Sequence, residues 1–205
     1  MESTTDAGWS GHVVLADGGL AFVRPVRAED KAELAALHTR MSRDSQYLRY
    51  FTARRRQLPE SELLRAVDID RHLRMAFVAF VQGRMAAYAC YIGEGDESGE
   101  IAFQVEDAQQ GRGLGTLLLE QLAAYAYEQG LRRFTATVLP HNRRMIEVFR
   151  DAGFPRQVRR DGGVLEVVLE IDPTRHSRAA IESRHAQARA CAHGRIAAKD
   201  EPEND

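Results

Sequence analysis

Lysine is almost missing from this 205-residue chain: Lys31 and Lys199 stand alone, and nearly every other cation is arginine. The plain cause is codon bias in a GC-rich genome. Cysteine is as sparse. Cys90 and Cys191 lie far apart, the second in a polar tail, so no disulfide framework is indicated and a reducing cytoplasm is the simplest home. No apolar run approaches the ~20 residues that span a bilayer, and the N-terminus lacks a charged-then-apolar signal pattern, so no membrane partner is expected. A formal net charge of −2 gives no global attraction to nucleic acid. Asp68, Asp70 and His72 have the wrong spacing and number for a metal site, and no metal is expected. No internal repeat is visible. With 44% hydrophobic residues, one sizeable core is possible and a second is not expected.

What is present is concentrated between Gly99 and Gly130. Glu100, Ala102 and Gln104 alternate with Ile101, Phe103 and Val105, the period-2 pattern of a half-buried strand. The segment Gln110-Gly111-Arg112-Gly113-Leu114-Gly115-Thr116 follows. Leu114, Leu117, Leu118, Leu122 and Tyr125 then recur at helical spacing, predicting a helix of about four turns that ends near Tyr127. Three glycines at alternate positions leave the backbone bare where strand becomes helix. Successive N–H groups can converge there on an anion, helped by the positive end of the helix dipole. This is a phosphate cradle, and spacing narrows its kind. A nucleotide P-loop needs a terminal Gly-Lys-Ser/Thr, and a dinucleotide fingerprint needs G-x-G-x-x-G. This chain has G-x-G-x-G and no lysine nearby.

The rest of the chain arranges itself around that stretch. Residues 1–12 read as a flexible leader, 13–171 as one domain, and 172–205 as a polar tail, disordered or partly helical. Asp17-Gly18-Gly19 marks a turn between Val13-Val14-Leu15 and Leu20 to Val23. Ala28-Glu29-Asp30 opens a helix carrying Leu34, Leu37 and Met41, and Pro59 starts a shorter one. Ser42 to Phe51 is a polar-aromatic segment, followed by Arg54-Arg55-Arg56. Met75–Val81 and Arg84–Ile92 flank Gln82-Gly83 as a hairpin. Phe134–Leu139 reads as a strand, and Asn142 caps a helix from Arg143 to Asp151 that stops at Gly153. Phe154–Val158 and Val164–Ile171 flank Asp161-Gly162-Gly163 as a closing hairpin. The fold class is α/β (α+β), with a mixed, mostly antiparallel sheet and helices on both faces.

Gln110 to Gly115 resembles the acyl-CoA loop of the GNAT N-acetyltransferase superfamily, Gln/Arg-x-x-Gly-x-Gly/Ala. Asn142…Phe149…Gly153-Phe154 is similar to that family's second motif. A narrower resemblance, from about Gly18 to Ile171, is to the GNAT domain of bacterial Pat-type protein lysine acetyltransferases. It is carried by Asp17-Gly-Gly, Val23-Arg-Pro-Val26, Ser42 to Phe51, Gly99-Glu-Ile-Ala-Phe, Gln110 to Thr116 and Asp161-Gly-Gly-Val164. The resemblance implies acetyl-CoA as acyl donor, held by Gln104, Val105, Gln110, Gly111, Arg112, Gly113, Leu114, Gly115, Thr116, Asn142 and Phe149. It implies Glu100 as general base and a protein substrate such as an acyl-CoA synthetase; the chain is expected to be a monomer or homodimer. Pat-type enzymes often carry a cyclic-nucleotide-binding or synthetase-like domain. Neither fits within these 205 residues, so such regulation is expected to be absent or supplied in trans. Many family members place a tyrosine at Phe149 as the acid for the leaving thiolate, and phenylalanine has no proton to donate.

The chemistry such a site must perform is set by the amine. A lysine ammonium has a reference pKa near ~10.4 and is no nucleophile at pH 7, so a carboxylate must take its proton directly or through water. Glu106 and Asp107 rival Glu100 but stand beside the phosphate cradle. A backbone N–H near Gln104 or Val105, left unpaired by splayed strands, would polarise the thioester carbonyl. Two other readings stay open: transfer to a small amine such as an antibiotic or polyamine, attracted by Glu94, Asp96, Glu97 and Glu100, and an acyl-CoA sensor without turnover. The arginine run at 54–56 is a solvated loop or a patch for the CoA ribose phosphate or an acidic protein surface. An enzyme that acylates lysines would also gain from having few of its own; heavy self-acylation at Lys31 by mass spectrometry would count against that idea.

Overall fold

The computed structural model describes residues 9–52 and 57–173. The leader up to residue 8, the arginines at 54–56, and the tail from residue 174, with Cys191 and Lys199, lie outside them. The elements are β1 (Gly11–Val14), β2 (Leu20–Pro25), α1 (Lys31–Arg40), α2 (Arg43–Tyr50), α3 (Glu60–Val67), β3 (Arg74–Val81) and β4 (Arg84–Gly93). They continue with β5 (Ser98–Val105), α4 (Leu114–Glu128), β6 (Arg133–Val138), α5 (Arg143–Asp151), β7 (Arg156–Asp161) and β8 (Val164–Glu170). Short 3₁₀ turns at Ala28–Asp30 and Asp107–Gln109 lead into α1 and toward α4.

The strands form one eight-stranded sheet in the order β1-β2-β3-β4-β5-β6-β8-β7, antiparallel everywhere except between β5 and β6. Local chemistry sets the hairpins. Gln82 and Gly83 both have positive φ (52° and 78°), the turn geometry whose twist matches two antiparallel strands. Between β1 and β2 the Gly19 N–H donates to the Asp17 carboxylate at 3.0 Å, pinning that turn.

Central strand β3 is buried on both faces. Met75, Phe77 and Ala79 join α4, α5 and β6 in one core, while Ala76 and Val78 join Leu34, Leu37, Leu63 and Val67 of α1 and α3 in another. Helices therefore cover both faces, as the sequence predicted. Helix α4 is more buried than a one-sided helix. Besides the expected leucines, Leu119, Ala123, Ala126, Glu120 and Gln121 are buried, and Ala124 is among its few exposed residues. The polar-aromatic segment Ser42 to Phe51 holds α2 and both its caps. Ser42 caps it, its Oγ accepting the Ser45 N–H at 3.1 Å, and Phe51 ends it in the left-handed region (φ 55°).

One feature of the sheet positions everything functional. The β5–β6 pairing runs only from Ser98↔Arg133 to Glu100↔Thr135, yet β5 continues to Val105 and β6 to Val138. Beyond Glu100 the two strands splay apart.

Candidate active site

The splay opens into a cleft of about 320 Å³ that extends over the N-terminus of α4. Its floor is the glycine loop. Gly113 stands at the helix start with φ 86°, a conformation that costs a side-chain-bearing residue energy. It offers no capping side chain, so the first N–H groups of α4 are left for whatever enters. At Gly115 a Cβ would sit 2.9 Å from Val148 Cγ2, so only glycine lets α4 approach α5 this closely.

Of the expected site residues, Glu100, Val105, Gln110, Gly111, Gly113, Leu114, Gly115, Thr116, Asn142 and Phe149 line this cleft together. Arg112 and Gln104 do not. Arg112 points away from the cradle: its Nε donates to Asp17 Oδ2 at 2.6 Å, and its carbonyl accepts the Ala16 N–H at 3.0 Å. It staples the outside of the loop to the β1–β2 turn, and the guanidinium holds the Asp17 carboxyl below its ordinary value. Gln104 turns its side chain into a second cavity, described below. Its backbone is spoken for as well. The Glu106 N–H donates to Ala86 O and the Glu94 N–H to Ser98 O, each at 2.9 Å, which sets the phase of the β4–β5 ladder. Bonding residues alternate in an antiparallel ladder, so Gln104 turns its N–H to β4, while Phe103 and Val105 turn theirs to the splay. Of the two oxyanion donors considered from the sequence, Val105 has the open N–H.

Gln110 binds the lip together. Its Nε2 donates to Val105 O at 3.0 Å and to Ser45 Oγ at 3.2 Å, and its Oε1 accepts from Arg144 of α5. Asn142 caps α5, its Oδ1 accepting the Met145 N–H at 3.2 Å. Phe149 is 2% exposed, part of the core as well as the cleft wall. The hydroxyls on the cleft lining belong to Ser45, Thr116 and Thr137, and no tyrosine is among the described lining residues.

The rival carboxylates are occupied. Glu106 is buried between Arg84, at 3.1 Å, and Arg40, at 3.3 Å. Asp107 accepts from the Ser42 N–H (2.7 Å), Ser42 Oγ (2.6 Å) and Ser45 Oγ (2.8 Å). Burial pushes the Asp107 carboxyl up, but these serine donors outweigh it and leave it below its ordinary value. Glu94 accepts from Thr135 Oγ1 (3.1 Å) and Ser98 Oγ (3.3 Å), and Asp96 from Ser98 Oγ (2.5 Å), so both brace the β4–β5 loop. Glu100 is exposed at the cleft, opposite Thr135, the last β6 residue paired with β5, and makes no ion pair among the described residues.

One wall was missed from the sequence. Ser45, Leu48 and Arg49 of α2 and Phe51 at its C-cap all line the cleft. The available signal was the cap: a serine three residues before Ser45, heading a segment with Tyr47, Leu48, Tyr50 and Phe51.

A bare anion cradle at a helix start, an open backbone donor on a splayed strand and an unpaired carboxylate along the same strand make a site for acyl transfer from a phosphate-bearing thioester. The family model for acetyltransferases of the GNAT family matches residues 39–154, and the chain belongs to that family. It is a GNAT acetyltransferase similar to Pat-type enzymes. Acetyltransferase Pat of Mycolicibacterium smegmatis is 30% identical over 154 residues, covering 74% of this chain and 46% of that protein. The chain thus spans less than half the length of that relative. Acetyltransferase PA5475 of Pseudomonas aeruginosa is 29% identical over 150 residues, covering 70% of this chain and 79% of that protein. The crystal structure of the GNAT domain of S. lividans PAT superposes with a TM-score of 0.74 at 37% identity, covering 79% of this chain and 97% of that one. GNAT acetyltransferases use acetyl-CoA, and yncA of Salmonella typhimurium was solved with it. That structure shares the fold at 19% identity and a TM-score of 0.61, covering 76% of this chain and 96% of that one. Among the described residues no helix is long and apolar enough to cross a membrane.

Proposed function

We propose that this chain transfers the acetyl group of acetyl-CoA to the Nε of a protein lysine, by direct attack within a ternary complex, with Glu100 as general base. The observation that carries this reading is the splay of β5 from β6, which puts Glu100 and the open Val105 N–H on one cleft with the glycine cradle. In this reading the N–H groups of the Gly111–Thr116 segment receive the pyrophosphate, while Val105, Asn142 and Phe149 flank the pantetheine arm. Glu100, directly or through a water, takes the proton that the lysine must lose to become a nucleophile. The amine then attacks the thioester carbonyl while the Val105 N–H stabilises the developing oxyanion. Collapse breaks the carbon–sulfur bond. The nitrogen gives up its second proton to water, and the CoA thiolate, facing Phe149 instead of a hydroxyl, leaves as the anion or takes a proton from water.

A protein lysine, with an acyl-CoA synthetase as the favoured target, follows from similarity to Pat-type enzymes. The engagement of Glu94 and Asp96 within the loop also leaves fewer carboxylates to attract a small polycation. We place the activity in the cytoplasm, within a domain spanning residues 13–171, as a monomer or homodimer. The test is transfer from labelled acetyl-CoA, offered an acyl-CoA synthetase beside a panel of small amines. Label on a synthetase lysine, lost in Glu100→Gln while CoA binding survives, supports the reading. Label confined to small amines overturns the acceptor, and full activity in Glu100→Gln overturns the base.

A further inference from the structure

A second cavity, of about 410 Å³, lies on the far side of α2, between α2, α3 and strands β3–β5. Arg49 lines both cavities and so forms the partition between this space and the cleft. Leu58, Ile69 and Ile92 give its walls apolar surface. Two polar side chains inside it are incompletely bonded. Gln104 is 4% exposed; its Nε2 donates to the Tyr50 hydroxyl at 2.8 Å, and its Oε1 has no partner. Arg49 lays its guanidinium 4.9 Å from the Tyr50 ring centroid, and its buried Nε also has no partner. A buried acceptor and a buried donor lacking partners destabilise a fold unless something supplies the missing bonds.

The two orphans call for opposite halves of one chemical group. Gln104 Oε1 needs an N–H, and Arg49 Nε needs a carbonyl oxygen. A secondary amide carries both. The lining also disfavours a free cation as occupant, since Arg49, Arg65 and Arg74 outnumber Glu62 and Asp68. We propose that this cavity binds a peptide amide of the acceptor, its N–H on Gln104 Oε1 and its carbonyl on Arg49 Nε. Amines borne on a peptide are thereby selected over the same amine alone. The proposal rests on the protein-lysine reading of the cleft and names how that substrate is recognised. Gln104 acts here as a specificity residue on the acceptor side, not as a cofactor ligand. The segment carrying the lysine lies on one side of the Arg49 partition, and its side chain reaches across to the cleft.

The test compares Nα-acetyl-lysine methylamide with n-butylamine, which share an amine on a four-carbon chain and differ in the amides. Wild type should favour the lysine derivative in kcat/KM. Gln104→Met, similar in size but without the acceptor oxygen, should shrink that preference about tenfold, mostly through the KM of the amide-bearing acceptor. Gln104→Glu keeps an oxygen there and should restore most of it. An unchanged preference in Gln104→Met, with the fold verified by circular dichroism, overturns the proposal. A second measurement works without turnover. Titrating ¹⁵N-labelled protein with N-methylacetamide at millimolar concentration should shift the Gln104 side-chain amide and Arg49 Nε signals saturably. No shift overturns the amide site even where transfer to protein lysine is established. A saturable shift supports the site even where that transfer fails.

Discussion

The carboxylate of Asp17, in the turn between the first two strands, grips the guanidinium of Arg112 in the middle of the anion-binding loop, with Nε to Oδ2 at 2.6 Å. Ninety-five positions separate the pair in sequence. The contact makes the edge hairpin a buttress for the cradle, because the neighbouring Ala16 N–H also donates to the Arg112 carbonyl. With that carbonyl tied back, the loop N–H groups stay free for a ligand. We expect Asp17→Ala and Arg112→Ala each to raise the KM for acetyl-CoA severalfold while leaving the acceptor KM nearly unchanged. The double variant should be little worse than either single one, because both remove one contact. Steady-state kinetics on the three variants checks this. A full loss of binding in Arg112→Ala alone would return the arginine to the phosphate.

At Gly115 the α4 backbone lies against Val148 of α5, with no room for a Cβ. Gly115→Ala should push Val148 and its helix outward, weaken acetyl-CoA binding and lower stability by about 1–3 kcal/mol, the range for overpacking a well-filled contact. Val148→Ala in the same chain should recover much of both losses. Calorimetric titration with CoA and urea unfolding measure the two effects.

Glu106 is held by Arg40 and Arg84, and we expect its role to be structural. Glu106→Gln leaves two arginines without their anion and should cost about 1–3 kcal/mol in urea unfolding. Its kcat should stay near wild type at temperatures where it remains folded. A collapse of kcat comparable to that of Glu100→Gln, without loss of fold, would make Glu106 part of the proton path after all.

Acid stability should depend on Asp30. Burial raises its carboxyl, but the two hydrogen bonds from Arg24, both at 2.6 Å, and one from the Arg27 N–H outweigh burial and leave it lowered. A carboxyl lowered in the folded state contributes stability that is fully present above its unfolded value, near ~3.9, and is lost as pH falls through the folded value. Asp30→Asn should therefore unfold more readily at pH 7, by about 2 kcal/mol, and show a flatter fall in stability below pH ~4. Urea midpoints measured from pH 7 to pH 2 test the sign. An identical acid slope in the variant would remove Asp30 from the account.

The parts legible in the sequence were those whose causes are local. Asn142 sits just before α5 because its side chain caps the Met145 N–H, three residues on. Gln82-Gly83 announces a hairpin because its backbone preference matches the turn. The glycine spacing announces an anion cradle for the same kind of reason. Resemblance added the family, and with it Glu100. Less legible was Ser42 to Phe51, whose helical pattern is short and polar and whose importance comes from the surface it covers.

Period-2 alternation divides β5 into Glu100, Ala102 and Gln104 on one face and Ile101, Phe103 and Val105 on the other, and the sequence by itself determined that division. It could not say which N–H groups the neighbouring strand would consume. That depends on the β4 register, and it is why the Val105 N–H faces the splay while the Gln104 N–H is turned to β4. Arg112 is the same lesson in side-chain form. An arginine between two glycines of an anion loop reads locally as a phosphate ligand, but a carboxylate brought from Asp17 by sheet packing offers it a fixed partner at 2.6 Å. Local sequence sets conformational preference and the groups available for bonding. Which of those groups remain unbonded, and so free to act, is decided only when distant segments meet.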